Sequence, residues 1–123
     1  MIAVSRADPA ARAGRLSILV ASVMTMPVAA DRGRGIGTRA LAWLTEHVFT
    51  TAAGASRIEG TTRQDNVAMR RLFRRGGYVK ESHYRDGWPD PDGNLHDAIG
   101  YAILRRDWLA GTTTVLRWDD EPA

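Results

Sequence analysis

The sequence predicts an α/β fold in which helices form one layer on a mixed β-sheet. β-prone runs alternate with segments of helical period, in the order β, glycine-rich loop, α, β, α, β, β. The chain has 123 residues, of which 44% are hydrophobic, enough for one continuous core. It has no cysteine, which excludes disulfides and thiolate metal ligands. We therefore expect a single domain.

The N-terminal part begins with residues 1–14, which have no period and are rich in Ala, Arg and Pro. This composition predicts a poorly ordered lead. The apolar, β-prone run from Arg15 to about Ala29 predicts one long strand, or two short ones with a break near Ala21 and Ser22.

Two helices follow. Apolar residues at helical spacing predict the first helix, which ends near Gly54; they are Ile36, Ala40, Leu41, Leu44 and Val48. The run 56–60 (SRIEG) alternates and predicts a short strand. The run 66–78 (NVAMRRLFRRGGY) predicts a second helix that is closed by Gly76 and Gly77.

Two strands and a tail complete the domain. The alternating run 78–88 predicts a strand, and 89–94 (PDPDGN) predicts a turn. The run 95–108 is apolar on both faces, which is typical of a central, covered strand. We expect a domain over 15–108 and a loosely held tail over 109–123.

A glycine-rich loop lies ahead of the first helix, within 31–44 (DRGRGIGTRALAWL). A strand that enters a glycine turn at a helix N-terminus directs backbone N–H groups and the positive end of the helix dipole at one point. Gly33, Gly35 and Gly37 let a ligand approach the backbone, and Arg32 and Arg34 add charged donors. The loop therefore predicts an anion site.

The loop departs from two common phosphate-binding patterns. A P-loop requires Lys-Ser/Thr after its last glycine, but Thr38 and Arg39 follow Gly37. The dinucleotide pattern requires Gly-x-Gly-x-x-Gly, although Glu59 stands at the distance of a ribose-binding acid. A turn without a ligand remains an alternative.

Three segments resemble the GNAT superfamily of N-acetyltransferases. The run 32–37 (RGRGIG) is similar to the family's acyl-CoA pyrophosphate loop. The run 66–78 is similar to the next motif, in which an asparagine opens a helix that a Gly-aromatic pair ends. The run 93–108 (GNLHDAIGYAILRRDW) is similar to the closing strand of the branch that acetylates protein N-termini and small amines.

The resemblance implies the C-terminal part of a GNAT fold, with a mostly antiparallel sheet and two main helices, and acetyl-CoA as co-substrate. It implies that Val28 lies against the pantetheine arm and that Asn66 hydrogen-bonds the cofactor. The pyrophosphate would be bound by Arg32 and by the backbone amides of Gly33, Arg34, Gly35, Ile36, Gly37 and Thr38.

The sequence also departs from the family pattern. The spacing from Val28 to Arg32 is one residue short, and Phe73 replaces the tyrosine that protonates the CoA thiolate in many members. Only residues 1–27 precede the cofactor strand, where the family has further strands and two helices. The resemblance therefore implies a truncated member, with 15–108 as a partial GNAT domain.

Glu59 is the candidate general base, acting on the amine through water. The alternative is a solvated strand residue paired with Arg57 or Arg63. His83 and His96 lie on adjacent predicted strands and could meet, but no metal site is predicted. His47, late in the first helix, is expected to cap carbonyl groups.

The expected function is transfer of an acetyl group from acetyl-CoA to a primary amine, on a protein N-terminus or a small molecule. One alternative is a CoA-binding remnant without activity. A weaker one is a small basic nucleic-acid-binding domain, suggested by 69–75 (MRRLFRR) and the net charge of +3. A solvated basic helix face would leave the same pattern.

No apolar run is long enough to span a bilayer, so no membrane partner is predicted and a cytoplasmic location is the default. A secretory signal is the alternative, because arginines precede the apolar run 16–30. The strands that a truncated member lacks would leave an open sheet edge. Such an edge pairs readily with another copy of the chain, which predicts a homodimer.

Overall fold

The computed structural model describes residues 2–6, by their backbone, and 35–122. The predicted strand from Arg15 to about Ala29 lies outside these residues. The elements in chain order are β1 (Ile2–Arg6), α1 (Ile36–Thr51), β2 (Ala55–Arg63), α2 (Val67–Arg75), β3 (Val79–Pro89), β4 (Leu95–Leu104) and α3 (Arg105–Ala110).

The four strands form one sheet in the order β1-β2-β4-β3, and the three pairings between them are antiparallel. This confirms the predicted mixed α/β fold class with a mostly antiparallel sheet and two main helices. β4 lies between β2 and β3, as its two apolar faces predicted. Its register places Tyr101 opposite Gly60 and Ala102 opposite Glu59.

Alternation along β2 separates the two faces of the sheet. Ile58, Gly60 and Thr62 are buried, whereas the residues between them are partly exposed. The position of a Cβ on Gly60 would lie 2.3 Å from Cζ of Phe73, so α2 covers the buried face. The core on this face combines both helices with β2 and β4; its members are Leu41, Val48, Phe49, Ala55, Ile58, Phe73, Tyr78, Ile99, Tyr101 and Ile103.

The two main helices run parallel. A Cβ on Gly37 would lie 3.4 Å from the methyl groups of Leu72, and one on Gly76 would lie 2.8 Å from a methyl group of Leu41. From the first of these contacts to the second, the chain advances by four residues along α1 and by four residues along α2. As a result the N-termini of α1 and α2 lie at the same end of the helix layer.

Arg105 closes the C-terminus of α1, a role that the sequence had suggested for His47. Its guanidinium donates to the carbonyl oxygens of Phe49 (2.8 Å), Ala52 (2.7 Å) and Ala55. His47 instead stacks on Trp43, with ring centroids 4.8 Å apart. The correction has a physical reason, because one planar guanidinium reaches several carbonyls that a single imidazole cannot.

Some element boundaries differ from the sequence-based expectation. Residues 2–6 of the expected lead form β1, because the edge of β2 offers them hydrogen-bonding partners. The strand expected over 56–60 extends over Ala55–Arg63, and the strand expected over 95–108 ends at Leu104, where α3 begins.

The residues after α3 retain one specific anchor. The carboxylate of Asp107 accepts hydrogen bonds from the backbone N–H (2.9 Å) and the hydroxyl (2.8 Å) of Thr114. These bonds, the backbone one first, lower the pKa of Asp107. In the described part of the chain, no helix has the length and apolar character needed to cross a bilayer.

Candidate functional site

The first turn of α1 presents backbone donors that have no acceptor among residues 35–122. Gly35 begins the helix in the left-handed region (φ 68°), and no side chain of these residues caps this end. The N–H of Arg39 makes the first bond of the helix ladder, to the carbonyl of Gly35 at 3.0 Å. The N–H groups of Ile36, Gly37 and Thr38 thus precede any intrahelical acceptor.

The charge around this turn favours an anion. The first turn of α1 contains no acidic residue, and the positive end of the helix dipole lies there. Gly35, Ile36 and Gly37 are exposed and Thr38 is partly exposed, so a ligand can reach the donors. The other predicted cofactor contacts, Val28, Arg32, Gly33 and Arg34, lie outside the described residues.

Asn66 begins α2 and caps it. Its side-chain Oδ1 accepts a hydrogen bond from the backbone N–H of Met69 at 3.1 Å, and the residue is exposed. Oδ1 accepts the capping bond, and a hydrogen bond donated by Asn66 to a ligand would come from Nδ2. Because the helices are parallel, the exposed starts of α1 and α2 lie at one end of the helix layer.

Glu59 lies on the face of the sheet opposite the helices. Its carboxylate Oε1 is 3.0 Å from Nε of Arg57, and Nη2 of Arg57 is 2.7 Å from Oε1 of Glu81. Nε of Arg57 is buried and makes no hydrogen bond to a described residue, so its contact with Glu59 is an ion pair only. Arg63, the other proposed partner, pairs with Asp65 instead, at 2.6 Å. The role of Glu59 as a base remains a prediction.

The sheet separates the two histidines that could have met. His83 lies opposite Ile99, and His96 lies opposite Trp88. Each histidine instead bonds a nearby carboxylate. His83 Nε2 is 2.7 Å from Oδ2 of Asp97, and His96 Nε2 is 2.9 Å from Oδ2 of Asp90. Within the described residues, no three His, Asp or Glu side chains are grouped so that they could hold a metal ion.

The bonds made by these carboxylates affect their titration. The imidazole of His96 is the main cause that lowers the pKa of Asp90, with backbone bonds adding to it. The backbone N–H of Asp86, followed by His83, lowers the pKa of Asp97.

A cavity of about 710 Å³ lies beside one of these pairs, lined by His83, Tyr84, Arg85, Asp86 and Asp97. None of these residues belongs to α1, β2 or α2. The cavity is therefore not the predicted cofactor site.

Comparisons with known proteins agree with this architecture. The model of the acetyltransferase (GNAT) family matches residues 20–78. A crystal structure described as a "Probable acetyltransferase" is 29% identical, with a TM-score of 0.59; the match covers 65% of this chain and 44% of that one. Over this segment and by its fold, the chain is similar to GNAT acetyltransferases.

Two further solved structures are similar to this chain. A GCN5-related N-acetyltransferase from Brucella melitensis is 26% identical with a TM-score of 0.54, over 59% of this chain and 32% of that one. RimL, a ribosomal L7/L12 alpha-N-protein acetyltransferase in complex with coenzyme A, is 25% identical with a TM-score of 0.54, over 61% of this chain and 41% of that one.

The chain spans less than half the length of these three GNAT structures. A comparison with curated proteins finds no match.

Phe73 stands where many GNAT enzymes carry a tyrosine, and its ring is part of the core. The ring is 1% exposed and stacks on Tyr101, with centroids 5.0 Å apart and planes inclined by 15°. Its Cζ atom points at Gly60. A para hydroxyl would therefore meet the backbone of β2, so this position serves packing rather than proton transfer.

The sequence analysis named the pair of Glu59 with Arg57 as an alternative, but it missed the contact of Arg57 with Glu81 and the contacts of Arg105. Arg57 connects β2 with β3 through Glu81, 24 residues later in the chain. Arg105 reaches the end of α1 from 50 to 56 residues away. Local periodicity carries no signal for such pairs. For Arg57, the only signal is the nearby Glu59 on the same face of an alternating strand.

Proposed function

We propose that this chain is a GNAT acetyltransferase that binds acetyl-CoA and transfers its acetyl group to a primary amine, on a protein N-terminus or a small molecule. The observation that carries the proposal is the first turn of α1, which no side chain of the described residues caps. Three backbone N–H groups there lack an intrahelical acceptor, and no carboxylate of that turn competes with a phosphate.

The proposed cofactor site extends beyond this turn. The N–H groups of residues 33–38 and the side chains of Arg32 and Arg34 would bind the pyrophosphate. Val28 would contact the pantetheine arm, and Asn66 would donate from Nδ2. The structure of RimL with coenzyme A supports the choice of ligand, since that protein is similar to this chain.

The proposed chemistry is direct transfer. The neutral amine nitrogen attacks the thioester carbonyl carbon, a C–N bond forms, the C–S bond breaks, and CoA leaves as a thiolate. The nitrogen loses a proton, which Glu59 would accept through a water molecule. The thiolate takes up a proton from solvent, because Phe73 cannot supply one.

One observation favours a second function, CoA binding without transfer. Phe73 fills the position of the family's proton donor, and Arg57 already pairs with the proposed base. Release of free thiol from acetyl-CoA, measured with a panel of primary amines, separates the two functions. Amine-dependent release supports the enzyme; binding of CoA without release supports the binding module.

We further propose a cytoplasmic homodimer that pairs through a sheet edge. β1 and β3 are the edge strands of the described sheet, and an open edge pairs readily with another strand. Analytical ultracentrifugation tests this proposal. Self-association at micromolar concentration supports it, and a monomer across that range contradicts it.

Calorimetric titration with CoA tests the site itself. Gly35→Val forces a β-branched residue into a left-handed position, where it displaces the first turn. Gly93→Val is the matched control, because Gly93 is also left-handed (φ 85°) with no atom within 4 Å of a Cβ. We expect Gly35→Val and Arg34→Ala to weaken binding and Gly93→Val to leave it unchanged. Equal binding by Gly35→Val and the wild type would show that the loop is not the site.

A further inference from the structure

The side chain of Arg57 crosses the face of the sheet opposite the helices. Arg57 lies on β2 and Glu81 lies on β3, and β4 separates these two strands. Nη2 of Arg57 nevertheless donates a hydrogen bond of 2.7 Å to Oε1 of Glu81. The arginine therefore spans the width of β4 and connects the two strands beside it.

Small residues of β4 make room for this crossing. Glu59 pairs with Ala102, and Thr61 pairs with Gly100. Residues directly opposite each other in a sheet share a face, and so do alternate residues of one strand. Ala102 and Gly100 therefore lie on the same face as Arg57. A methyl group and a hydrogen atom leave space above β4 for the arginine side chain.

Arg57 contacts its two carboxylates in different ways. Its Nη2 makes a hydrogen bond to Glu81, whereas its Nε is 3.0 Å from Oε1 of Glu59 without forming a hydrogen bond. The directed bond to Glu81 fixes the guanidinium, and the guanidinium attracts the carboxylate of Glu59 by charge. The three side chains are 27–30% exposed, so solvent screens this attraction less than at an open surface.

The charge of this cluster bears on the proposed base. Arg57 alone would neutralise Glu59, but the second carboxylate, on Glu81, leaves the three side chains with one net negative charge. An acceptor amine carries a positive charge until it loses a proton, so a net negative cluster attracts it. The pairing of Arg57 with Glu59 is therefore compatible with a base at that position.

We infer that Arg57 is a positioning residue that holds the carboxylate of Glu59 for proton transfer, and that Glu81 anchors Arg57 from across β4. The inference rests on the proposed function, in which Glu59 accepts the amine proton through a water molecule. Arg57 acts through Glu59. A carboxylate that is displaced from its place accepts the proton less efficiently, because a general base must lie within hydrogen-bond reach.

Amine-dependent release of free thiol from acetyl-CoA, measured for a set of variants, tests the inference. We expect Arg57→Gln and Glu81→Ala each to lower kcat by about tenfold or more, with little change in the KM for acetyl-CoA. Arg57→Lys and Glu81→Gln should recover part of the loss, because they retain a cation and a hydrogen-bond acceptor. Circular dichroism melts check that each variant is folded.

Lys80→Gln is the matched control. It removes a positive charge from the residue next to Glu81, but Lys80 pairs with Tyr101, a core residue on the helix-covered face of the sheet. We expect it to leave kcat unchanged. A loss in Lys80→Gln equal to that in Arg57→Gln would show a general effect of charge and would overturn the inference.

The Glu59→Gln background separates positioning from a purely structural role. In this background, Arg57→Gln and Glu81→Ala should cause no further loss of the residual kcat, because both residues act through Glu59. A further loss of the same size as in the wild-type background overturns the inference while the transfer reaction stands. Unchanged kcat in Glu59→Gln itself has the same consequence.

A second readout does not depend on turnover. The ¹³C resonance of the Glu59 carboxylate should shift in Arg57→Gln and in Glu81→Ala and should stay in place in Lys80→Gln. An unshifted resonance in Arg57→Gln overturns the inference alone. If the wild type releases no thiol with any amine, the proposed transfer reaction is wrong and the positioning role is overturned with it.

Discussion

Arg105 donates a hydrogen bond of 2.8 Å to the backbone carbonyl of Phe49 and lies over its ring, 5.0 Å from the centroid. Two further donors of the same guanidinium reach carbonyls at residues 52 and 55. One side chain thus connects the start of α3 with the end of α1 and the start of β2. The carbonyl groups at the end of α1 that have no acceptor role within the helix therefore accept hydrogen bonds from a residue distant in sequence.

We expect Arg105→Ala to lower the free energy of unfolding by about 2–4 kcal/mol, because three carbonyls lose a charged donor. Arg105→Lys should recover only a small part, since one ammonium cannot reproduce a planar fork of donors. Urea unfolding measures the change. Arg106→Ala, at the exposed neighbour, is the control; if it destabilises the protein equally, the carbonyl contacts are not the cause.

Gly60 and Phe73 form a tightly packed pair. A methyl group on Gly60 would approach the ring to 2.3 Å, so we expect Gly60→Ala to destabilise the protein by about 1–3 kcal/mol. A smaller side chain at residue 73 should relieve this clash. The double variant Gly60→Ala/Phe73→Leu should therefore lose less than the sum of the single variants in urea unfolding. Additive losses would contradict direct contact between the two positions.

Tyr78 is buried and shares a hydrogen bond of 2.9 Å with the hydroxyl of Thr45. Burial raises the pKa of Tyr78 from 10.0 to about 12, while the bond to Thr45 lowers it. Because the folded state favours the neutral phenol, this contribution to stability is complete below pH 10 and is lost as the pH rises toward 12.

The near-ultraviolet absorbance of tyrosinate should show a late-titrating component that comes from Tyr78. Tyr78→Phe should remove that component, and Tyr84→Phe, at an exposed ring, should retain it. Removal of the late component by Tyr84→Phe instead would show that Tyr78 is not the shielded group.

Thr38→Glu separates helix stability from cofactor binding. An acid in the first turn interacts favourably with the helix dipole, so we expect the melting temperature to stay equal or rise. The same charge repels a diphosphate, so CoA affinity should fall by about tenfold or more. Ala42→Glu adds an equal charge at an exposed mid-helix position and should change affinity much less. Equal losses in both variants would indicate a long-range charge effect rather than a site at the first turn.

The sequence predicted the elements that depend on local pattern. The spacing from Ile36 to Val48 placed α1, and the asparagine and glycine pair around α2 marked both of its ends. Local pattern could not predict contacts between distant residues. β1 was missed because its five residues form a strand only where the edge of β2 is available, and α3 was missed because Arg105 holds it against α1.

The same limit applies to the candidate site. The positions of Gly35, Gly37 and Asn66 at helix starts could be predicted, because glycines and caps at helix starts follow local rules. The surroundings of Glu59 could not, because its partner Arg57 also binds Glu81 on another strand. The packing of Leu72 on Gly37, which brings α2 beside the first turn of α1, appears only in the structure.

Amide chemical shifts during a CoA titration test the central claim most directly. With ¹⁵N-labelled protein, we predict that the backbone N–H resonances of Ile36, Gly37 and Thr38 shift strongly and saturate with the binding isotherm. Pantetheine, which lacks the diphosphate, should leave these three nearly unchanged. If CoA binds while these amides stay in place and the resonances around His83 and Asp97 move instead, the assignment of the diphosphate to the first turn of α1 is wrong.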